Sequence, residues 1–215
     1  MNFANFIMVK NNRIKFLASF LKGYKRVLDI GSDHGYVLKE AFEKNYIKTA
    51  IASDIKIDPL SVAKKNLDKY PVTYYLSDGF KSIDDYFDAV LIAGMGSYNI
   101  SHILSYIPKV NFDIYLMTHS HLYDLRLYLM NNSFSIINEY ICYDKRFYHL
   151  FKVKRGIMNL SEKELYTGVN VVFDDEAKSY FKIESKKILK YSQKANGIRK
   201  KELMKQYEYF TESSR

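Results

Sequence analysis

Short apolar runs recur along the first 155 residues; two of them end in glycine or aspartate, and two more are followed by Asp78 and by Gly94. Runs of this kind, bounded by turn residues, are typical of strands that are buried on both faces of a parallel sheet. We therefore predict strands at 26–31, 49–54, 72–76, 87–93, 112–117, 134–142 and 147–154, of which the last two can form a hairpin.

The segments between these runs carry apolar residues at the three- to four-residue spacing of amphipathic helices. They predict helices at 9–22, 37–44, 59–70, 100–107 and 123–131. Strands that alternate with helices imply an α/β fold, built on a doubly wound, mostly parallel, Rossmann-like sheet. Ligands of such sheets bind beyond the carboxyl ends of the strands, so the residues that follow each strand are the first candidates for a site.

The pattern changes after about Gly156. Ser161 and Glu164 fit a capping box before a short helix, and the acids at 174–176 open a long amphipathic helix, where they favour the helix dipole. Asn196 and Gly197 interrupt that helix, and 198–210 can form another. We therefore predict an α/β domain over 1–155 and a helical hairpin, or antiparallel coiled pair, over 156–215.

The composition is that of a globular protein that holds together without covalent links. Of the 215 residues, 47% are hydrophobic and 27% are charged. Cys142 is the single cysteine of the sequence, which excludes an internal disulfide and any zinc site built from several cysteines. No apolar run approaches the ~20 residues that cross a bilayer, and residues 1–10 show no secretory pattern. We expect a cytoplasmic protein with no metal and no membrane contact.

The charge is basic, with 33 Lys and Arg against 24 Asp and Glu, a net charge of +9. A basic surface favours a polyanionic partner such as nucleic acid, although an AT-rich coding sequence would also enrich lysine. Residues 186–205 carry eight basic side chains and one acid. They can form either a phosphate-contacting arm or an ordinary solvated helix face.

The turn after the first predicted strand, 29–35, carries acids where a nucleotide site usually carries glycines. A dinucleotide site has the pattern G-x-G-x-x-G, but this turn has Asp33 in the place of the second glycine, and a carboxylate there would repel a pyrophosphate. Asp29 is equally unsuited to an anion. Gly31 and Gly35 complete a D-x-G-x-x-x-G pattern, which suits the sulfonium and amino group of S-adenosylmethionine (SAM).

Two more acids follow the next two strands. Asp54 can accept the ribose hydroxyls and Asp78 the adenine amino group, although each acid alone can also be a turn or capping carboxylate. Glycines at 94–96 let a ligand approach the backbone after the fourth strand. Together these positions predict a SAM site. The predicted cofactor-binding residues are Asp29, Gly31, Ser32, His34, Asp54, Ile55, Asp78, Gly79, Gly94 and Met95.

The sequences at 29–36 (DIGSDHGY) and 92–96 (IAGMG) resemble the bacterial tRNA (adenine-22-N1)-methyltransferases, the TrmK-like family. Arg13, Pro59 and the Asp-Gly pair at 78–79 match the family in order and spacing, and the resemblance covers about 9–155. It implies a class I SAM-dependent methyltransferase domain over 1–155 and a coiled-coil-like helical domain over 156–215 that helps to hold tRNA. The implied product is N1-methyladenosine at position 22.

Two departures from the family pattern concern its loops. The family usually carries Gln-Pro-Asn after the fifth parallel strand, where this chain has Met117, Thr118 and His119. His119 can still hydrogen-bond a base edge, or it can be a loop histidine with no role. The family often has Gly-Pro in the tail, where this chain has Gly168 and Val169.

Methylation at N1 makes the adenine cationic, so a carboxylate near the base would stabilise the developing charge. Asp33 is the candidate catalytic residue, because an acid is unusual at this place in a SAM turn and because the resemblance points to it. It can instead bind the SAM amino group or cap a helix. The predicted substrate-binding residues are Arg13, Tyr36, Gly96, His119, Lys187, Lys190, Arg199 and Lys200.

Two other functions remain compatible with these residues. A SAM-dependent enzyme of small molecules would share the same site, and a non-catalytic SAM-binding RNA module would bind tRNA without transferring a methyl group. An NAD-dependent oxidoreductase is disfavoured by Asp33. We expect a monomer that binds tRNA and releases S-adenosyl-L-homocysteine.

Overall fold

The computed structural model describes residues 12–109 and 112–213. Residues 9–11 of the first predicted helix therefore lie outside the described part. The strands are β1 (Arg26–Ile30), β2 (Thr49–Asp54), β3 (Val72–Leu76), β4 (Ala89–Ile92), β5 (Asp113–Thr118), β6 (Phe134–Asp144) and β7 (Arg146–Arg155). The helices are α1 (Asn12–Phe20), α2 (Tyr36–Glu43), α3 (Ile57–Asn66), α4 (Ser97–Leu104), α5 (Leu122–Asn131), α6 (Glu162–Thr167), α7 (Asp175–Ser192) and α8 (Gly197–Glu212).

The strands form one sheet in the order β3-β2-β1-β4-β5-β7-β6. The first five strands of this order pair in parallel, and β7 enters antiparallel between β5 and β6. The chain order reverses between β1 and β4, and Ile30 pairs with both Ser53 and Ile92 across that point. The doubly wound α/β prediction is confirmed, and the crevice at the switch lies beyond the carboxyl ends of β1 and β4.

The apolar runs become strands because both faces of the sheet are covered. Leu28 packs with Ile100 and Leu125 in a core under α4 and α5. Its neighbour Val27 points to the opposite face and packs with Leu38 in a second core under α1, α2 and α3. A strand buried on both faces has no polar positions to alternate, which is why its sequence is a continuous apolar run.

Two helices begin earlier than the apolar spacing predicts. The helix predicted at 59–70 begins at Ile57, whose side chain is exposed, and the helix predicted at 100–107 begins at Ser97. Ser97 is buried, and its Oγ donates a hydrogen bond to the Ser120 carbonyl at 2.6 Å. A first turn that is held by a polar contact leaves no trace in an apolar pattern.

The C-terminal segment forms a helical hairpin. The capping box before α6 is present, since the Ser161 hydroxyl accepts a hydrogen bond from the Glu164 N–H while the Glu164 carboxylate accepts one from the Ser161 N–H. Phe181 near the start of α7 lies 5.9 Å, between ring centroids, from Phe210 near the end of α8. The two helices therefore run antiparallel.

The hairpin packs on the sheet and shares a core with it. Ile141 of β6 is buried among residues of α7 and α8. A fully buried ion pair, Arg126 of α5 and Glu139 of β6, reaches into the tail, because Arg126 Nη1 donates to the Leu165 carbonyl and Glu139 Oε1 accepts from the Val169 N–H. Buried contacts therefore cross the predicted boundary at residue 155, and the division into two domains stays a prediction.

Within the described ranges, no helix has both the length and the apolar character needed to cross a membrane.

Candidate active site

The turn between β1 and α2 is folded tightly over the end of β2. Gly31, Asp33 and Gly35 all have positive φ, at 74°, 50° and 70°. The N–H groups of Gly31 and Ser32 both donate to the Ser53 carbonyl, at 2.8 and 3.0 Å. A Cβ on Gly35 would lie 2.7 Å from a methyl group of Leu67. The glycines therefore allow a backbone path that brings the turn close to both β2 and α3.

Two acids lie at the bottom of this turn. Asp29 is 4% exposed, and its carboxylate has no hydrogen-bond donor in the described part of the chain. Burial, with a smaller contribution from the charge of Asp54, raises the pKa of Asp29 to about 7. Asp54 accepts hydrogen bonds from the N–H groups of Lys56 (2.9 Å) and Asp33 (3.3 Å). Among the described residues Asp29 has no counter-charge, and a cationic ligand would supply one.

A cavity of about 110 Å³ is lined by Asp29 and by the turn that follows it. Two of the buried polar atoms in the turn, Ser32 Oγ and His34 Nδ1, have no hydrogen-bond partner among the described residues. Buried polar atoms normally have a hydrogen-bond partner, so two atoms without one favour a ligand with polar groups at this place. The lining residues come from α1, the end of β1, the β1–α2 turn, α2 and the loop after β4; they are Arg13, Ile14, Leu17, Asp29, Gly31, Ser32, Asp33, His34, Tyr36, Val37, Ala93 and Gly94.

Asp33 lies at the rim of the cavity. Its side chain is 66% exposed, and its carboxylate is 3.7 Å from His34 Nε2. It does not cap α2, because the N-cap of that helix is Gly35 and no side chain bonds there. Unlike Asp29, Asp33 faces outward and can meet a second substrate.

Asp78 lies beyond β3 and shares its carboxylate with residues that the sequence did not single out. Its Oδ2 accepts a hydrogen bond from Lys81 Nζ at 2.6 Å and lies 3.7 Å from His102 Nε2. The hydrogen bond from Lys81 holds the pKa of Asp78 below its usual range. The three-residue spacing of Asp78 and Lys81 was the available signal for this pair.

Apolar side chains are exposed beside Asp54 and near Asp78. Ile55 follows Asp54 and is 63% exposed, and Leu76 ends β3 with 54% exposure. Gly79 has a positive φ of 62° and lies against Ile103 of α4. Exposed aliphatic groups of this size next to two carboxylates are suited to the face of a ring with polar edges.

The loop after β4 carries the remaining predicted cofactor positions. Gly94 has a positive φ of 78°, and no atom of a described residue would lie within 4 Å of an added Cβ. The Met95 methyl group reaches across to the β1–α2 turn, where a Cβ on Gly31 would lie 2.6 Å from it. Gly96 is the N-cap of α4. The structure thus brings this loop against the glycine turn at the sheet switch point.

Of the predicted substrate residues, three more lie near this edge. Tyr36 lines the cavity and Arg13 lies at its α1 side. His119 follows β5 and contacts Arg13 indirectly, through the ring of Tyr148. Sequence reasoning missed Tyr148, although an antiparallel final strand necessarily begins at the edge where the parallel strands end.

The four predicted tail cations lie on the hairpin, away from the cavity lining. Lys187 and Arg199 are each 3.2 Å from a carboxylate three residues away, that of Glu184 and that of Glu202. Lys190 and Lys200 are exposed, and neither has an ion pair with a described residue. Their charges are therefore available to a partner.

Comparisons with known proteins agree with this geometry. Residues 10–151 match the family model described as a methyltransferase domain. A Mycoplasma pneumoniae protein named "Putative tRNA methyltransferase" is 29% identical over 156 residues, which are 69% of this chain and 73% of that protein. The tRNA (adenine(22)-N(1))-methyltransferase of Bacillus subtilis is 33% identical over 99 residues, 44% of this chain and 42% of the relative.

A solved structure extends the likeness over nearly the whole chain. The Streptococcus pneumoniae protein described as "a putative tRNA (m1A22) methyltransferase" matches with a TM-score of 0.83 and 26% identity, covering 95% of this chain and 99% of that one. Its complex with SAM matches with a TM-score of 0.79 and 26% identity, covering 94% and 98%. The sheet order, the acid-lined cavity and the family match over residues 10–151 agree, and the chain belongs to the methyltransferase-domain family.

Proposed function

We propose that the protein transfers the methyl group of SAM to N1 of adenine 22 in tRNA. The observation that carries the proposal is the buried carboxylate of Asp29, which lies without a donor or counter-charge from the described residues at the bottom of the cavity. The ammonium and sulfonium groups of SAM would supply that charge. The likeness to a protein crystallised with SAM supports the same cofactor.

The residues present fit SAM. Asp29 would hold the amino group, and Ser32 Oγ, buried and without a partner in the described chain, would bind the carboxylate. Asp54 would accept the ribose hydroxyls, while Ile55 would cover the adenine ring and Asp78 would accept its amino group. When bound, SAM supplies an electrophilic methyl group on sulfur and leaves as S-adenosyl-L-homocysteine.

The chemistry asks little of the protein beyond placement and charge. Adenine N1 has a free lone pair and attacks without prior deprotonation, and the base becomes cationic as the N–C bond forms. Asp33, exposed at the cavity rim, would stabilise that charge and can then accept a proton from the exocyclic amine. Holding N1 in line with the methyl group supplies the rest of the rate enhancement.

Access to N1 sets the form of the RNA substrate. The N1 edge is occupied whenever adenine is base-paired, so the target must be unpaired or everted. The net charge of +9 favours binding of the RNA backbone. The hairpin can take part in this binding, because the ammonium groups of Lys190 and Lys200 have no ion pair among the described residues. We propose that the protein acts as a cytoplasmic monomer, with the hairpin as part of the tRNA surface.

The test is transfer of labelled methyl from SAM to an unmodified tRNA transcript, with the product nucleoside identified and mapped. We expect N1-methyladenosine at position 22 and no label in a transcript that carries guanine there. Label that appears in a small molecule which is not a nucleotide of the tRNA would overturn the RNA substrate. Thermal stabilisation by SAM without transfer to any tRNA would overturn the catalytic function and favour a binding module.

A further inference from the structure

Four side chains form a continuous row that begins at the cavity and leads away from it along the carboxyl edge of the sheet. The Arg13 guanidinium carbon lies 4.8 Å from the centroid of the Tyr148 ring. The Tyr148 ring meets the His119 ring edge-on, with centroids 5.4 Å apart. His119 Nε2 lies 3.1 Å from Arg146 Nη1. We call these four residues the arginine ledge.

The fold holds the ledge in place from three sides. Arg13 comes from α1, His119 follows β5, and Arg146 and Tyr148 are at the start of β7. Because β7 runs antiparallel to β5, its first residues lie at the edge where the parallel strands end. The N–H of Arg13 donates to the Asp144 carboxylate at 3.4 Å, which ties α1 to the turn before β7.

Both guanidinium groups of the ledge are held by neutral partners. Among the described residues, neither Arg13 nor Arg146 forms a side-chain ion pair with a carboxylate. Burial lowers the pKa of His119, and the charges of Arg146 and Arg13 lower it further. Neutral His119 accepts a hydrogen bond from Arg146 at Nε2 and carries its own proton on Nδ1. The Asp144 carboxylate lies beside the ledge, where it accepts from the Arg13 backbone N–H, but within the described part of the chain it forms no ion pair with either guanidinium group. The ledge therefore presents two oriented positive charges.

We propose that the arginine ledge binds the phosphate backbone of the RNA next to the target adenine. Planar guanidinium groups without acidic partners are the usual ligands of RNA phosphates. Arg13 also lines the cavity, so a phosphate bound there would belong to a nucleotide that flanks the everted base. Tyr148 is then a positioning residue, since it acts by holding the Arg13 guanidinium over its ring. This inference rests on the proposed RNA substrate.

The test compares Arg146→Gln and Tyr148→Leu with a matched control on the same strand. Arg155 lies at the other end of β7, with its guanidinium carbon 4.3 Å from the centroid of the Phe134 ring, so Arg155→Gln removes one positive charge from the same strand far from the cavity. The measurements are the Kd for unmodified tRNA, the KM and kcat of methylation, and the Kd for SAM.

We expect Arg146→Gln and Tyr148→Leu to raise the Kd and KM for tRNA about tenfold, with kcat and the Kd for SAM within about twofold of wild type. Arg146→Gln should also reduce the slope of log K against log salt by roughly one. Tyr148→Phe keeps the ring under Arg13 and should leave the Kd and KM for tRNA at their wild-type values. Arg155→Gln should change none of them.

Three results would overturn the inference. If Arg146→Gln and Arg155→Gln have the same Kd for tRNA, the ledge makes no RNA contact. A parallel loss of SAM affinity would assign the ledge to the cofactor site. Equal effects of Tyr148→Leu and Tyr148→Phe would remove the positioning role of the ring. A wild-type protein that binds tRNA without methylating it would defeat the proposed reaction and leave the tRNA Kd of these variants to decide the inference.

Discussion

Replacing Asp29 with asparagine should stabilise the ligand-free protein above neutral pH and abolish its response to SAM. Asp29 is buried, lacks a donor within the described chain and lies near Asp54, and these conditions raise its pKa from 3.8 to about 7. At pH 8 the folded protein therefore carries a charge in an unfavourable place. SAM would relieve this by supplying a cation.

The size of the effect follows from the pKa. A difference of about 3 pH units between the folded and unfolded states corresponds to roughly 4 kcal/mol at ~1.4 kcal/mol per unit. The asparagine amide has no charge but leaves its own polar atoms unsatisfied, at a cost of roughly 1–3 kcal/mol. Asp29→Asn should therefore gain about 1–3 kcal/mol at pH 8. At ~2–4 °C per kcal/mol, Tm rises by several degrees.

The sign of the pH dependence is fixed by the direction of the shift. Because the pKa of Asp29 is higher in the folded state, its stabilising protonation is complete below about pH 4 and is lost as the pH rises to about 7. The advantage of the variant should therefore be absent near pH 5 and grow up to pH 8.

The assay is thermal unfolding from pH 5 to 8.5, with and without SAM, for wild type, Asp29→Asn and Asp33→Asn. Asp33 is exposed, so its variant should keep both the wild-type Tm and the stabilisation by SAM. A Tm for Asp29→Asn that lies below wild type at pH 8, or a difference that does not change with pH, would refute the reasoning. So would undiminished stabilisation of that variant by SAM.

Three further changes test other parts of the structure. Glu139→Gln leaves a fully buried guanidinium unpaired and should lower the free energy of unfolding by about 3–5 kcal/mol in urea denaturation. Gly35→Ala places a Cβ at a φ of 70° and 2.7 Å from a leucine methyl group, which should cost about 1–3 kcal/mol and weaken SAM binding by calorimetry. The double variant Lys190→Gln, Lys200→Gln should reduce the salt slope of tRNA binding by roughly two, with unchanged SAM affinity.

Each of these changes has a matched control. Glu184→Gln removes a partly exposed partner of Lys187 and should change stability by less than about 1 kcal/mol. An equal loss in both variants would contradict the special role of the buried pair. Gly23 also has a positive φ, but a Cβ there would meet no atom within 4 Å in the part of the chain that the structure describes, so SAM binding should survive Gly23→Ala. The double variant Lys187→Gln, Arg199→Gln removes cations that are already paired. If its salt slope equals that of the Lys190, Lys200 variant, Lys190 and Lys200 are not the cations that bind tRNA preferentially.

The strands and the glycine turn can be predicted from the sequence because they depend on local properties. A strand buried on both faces must be apolar throughout, and the positive φ values of the turn at 29–35 need glycine at two positions. Acids at the ends of three successive strands are also visible in the sequence, and a parallel sheet brings such ends to one edge. These features suffice to locate the candidate cofactor site at the carboxyl ends of β1, β2 and β3.

The contacts between distant segments could not be predicted in this way. Arg126 and Glu139 look like ordinary surface charges on a helix and a strand, and only the packing of the tail over β6 buries them. Tyr148 is one of twenty tyrosines, and its place beside Arg13 depends on the antiparallel course of β7. The register of a hairpin and the docking of a helix on it have no local signature in a single sequence.

The most direct test of methyl transfer to adenine N1 uses two tRNAs that differ in one ring atom. Position 22 carries 1-deazaadenosine in one, which has carbon in place of N1, and 7-deazaadenosine in the other, which keeps N1. Single-turnover transfer from labelled SAM should proceed on the 7-deaza tRNA at a rate close to that of adenosine and be absent from the 1-deaza tRNA. Equal labelling of both tRNAs would contradict N1 of adenine 22 as the methyl acceptor.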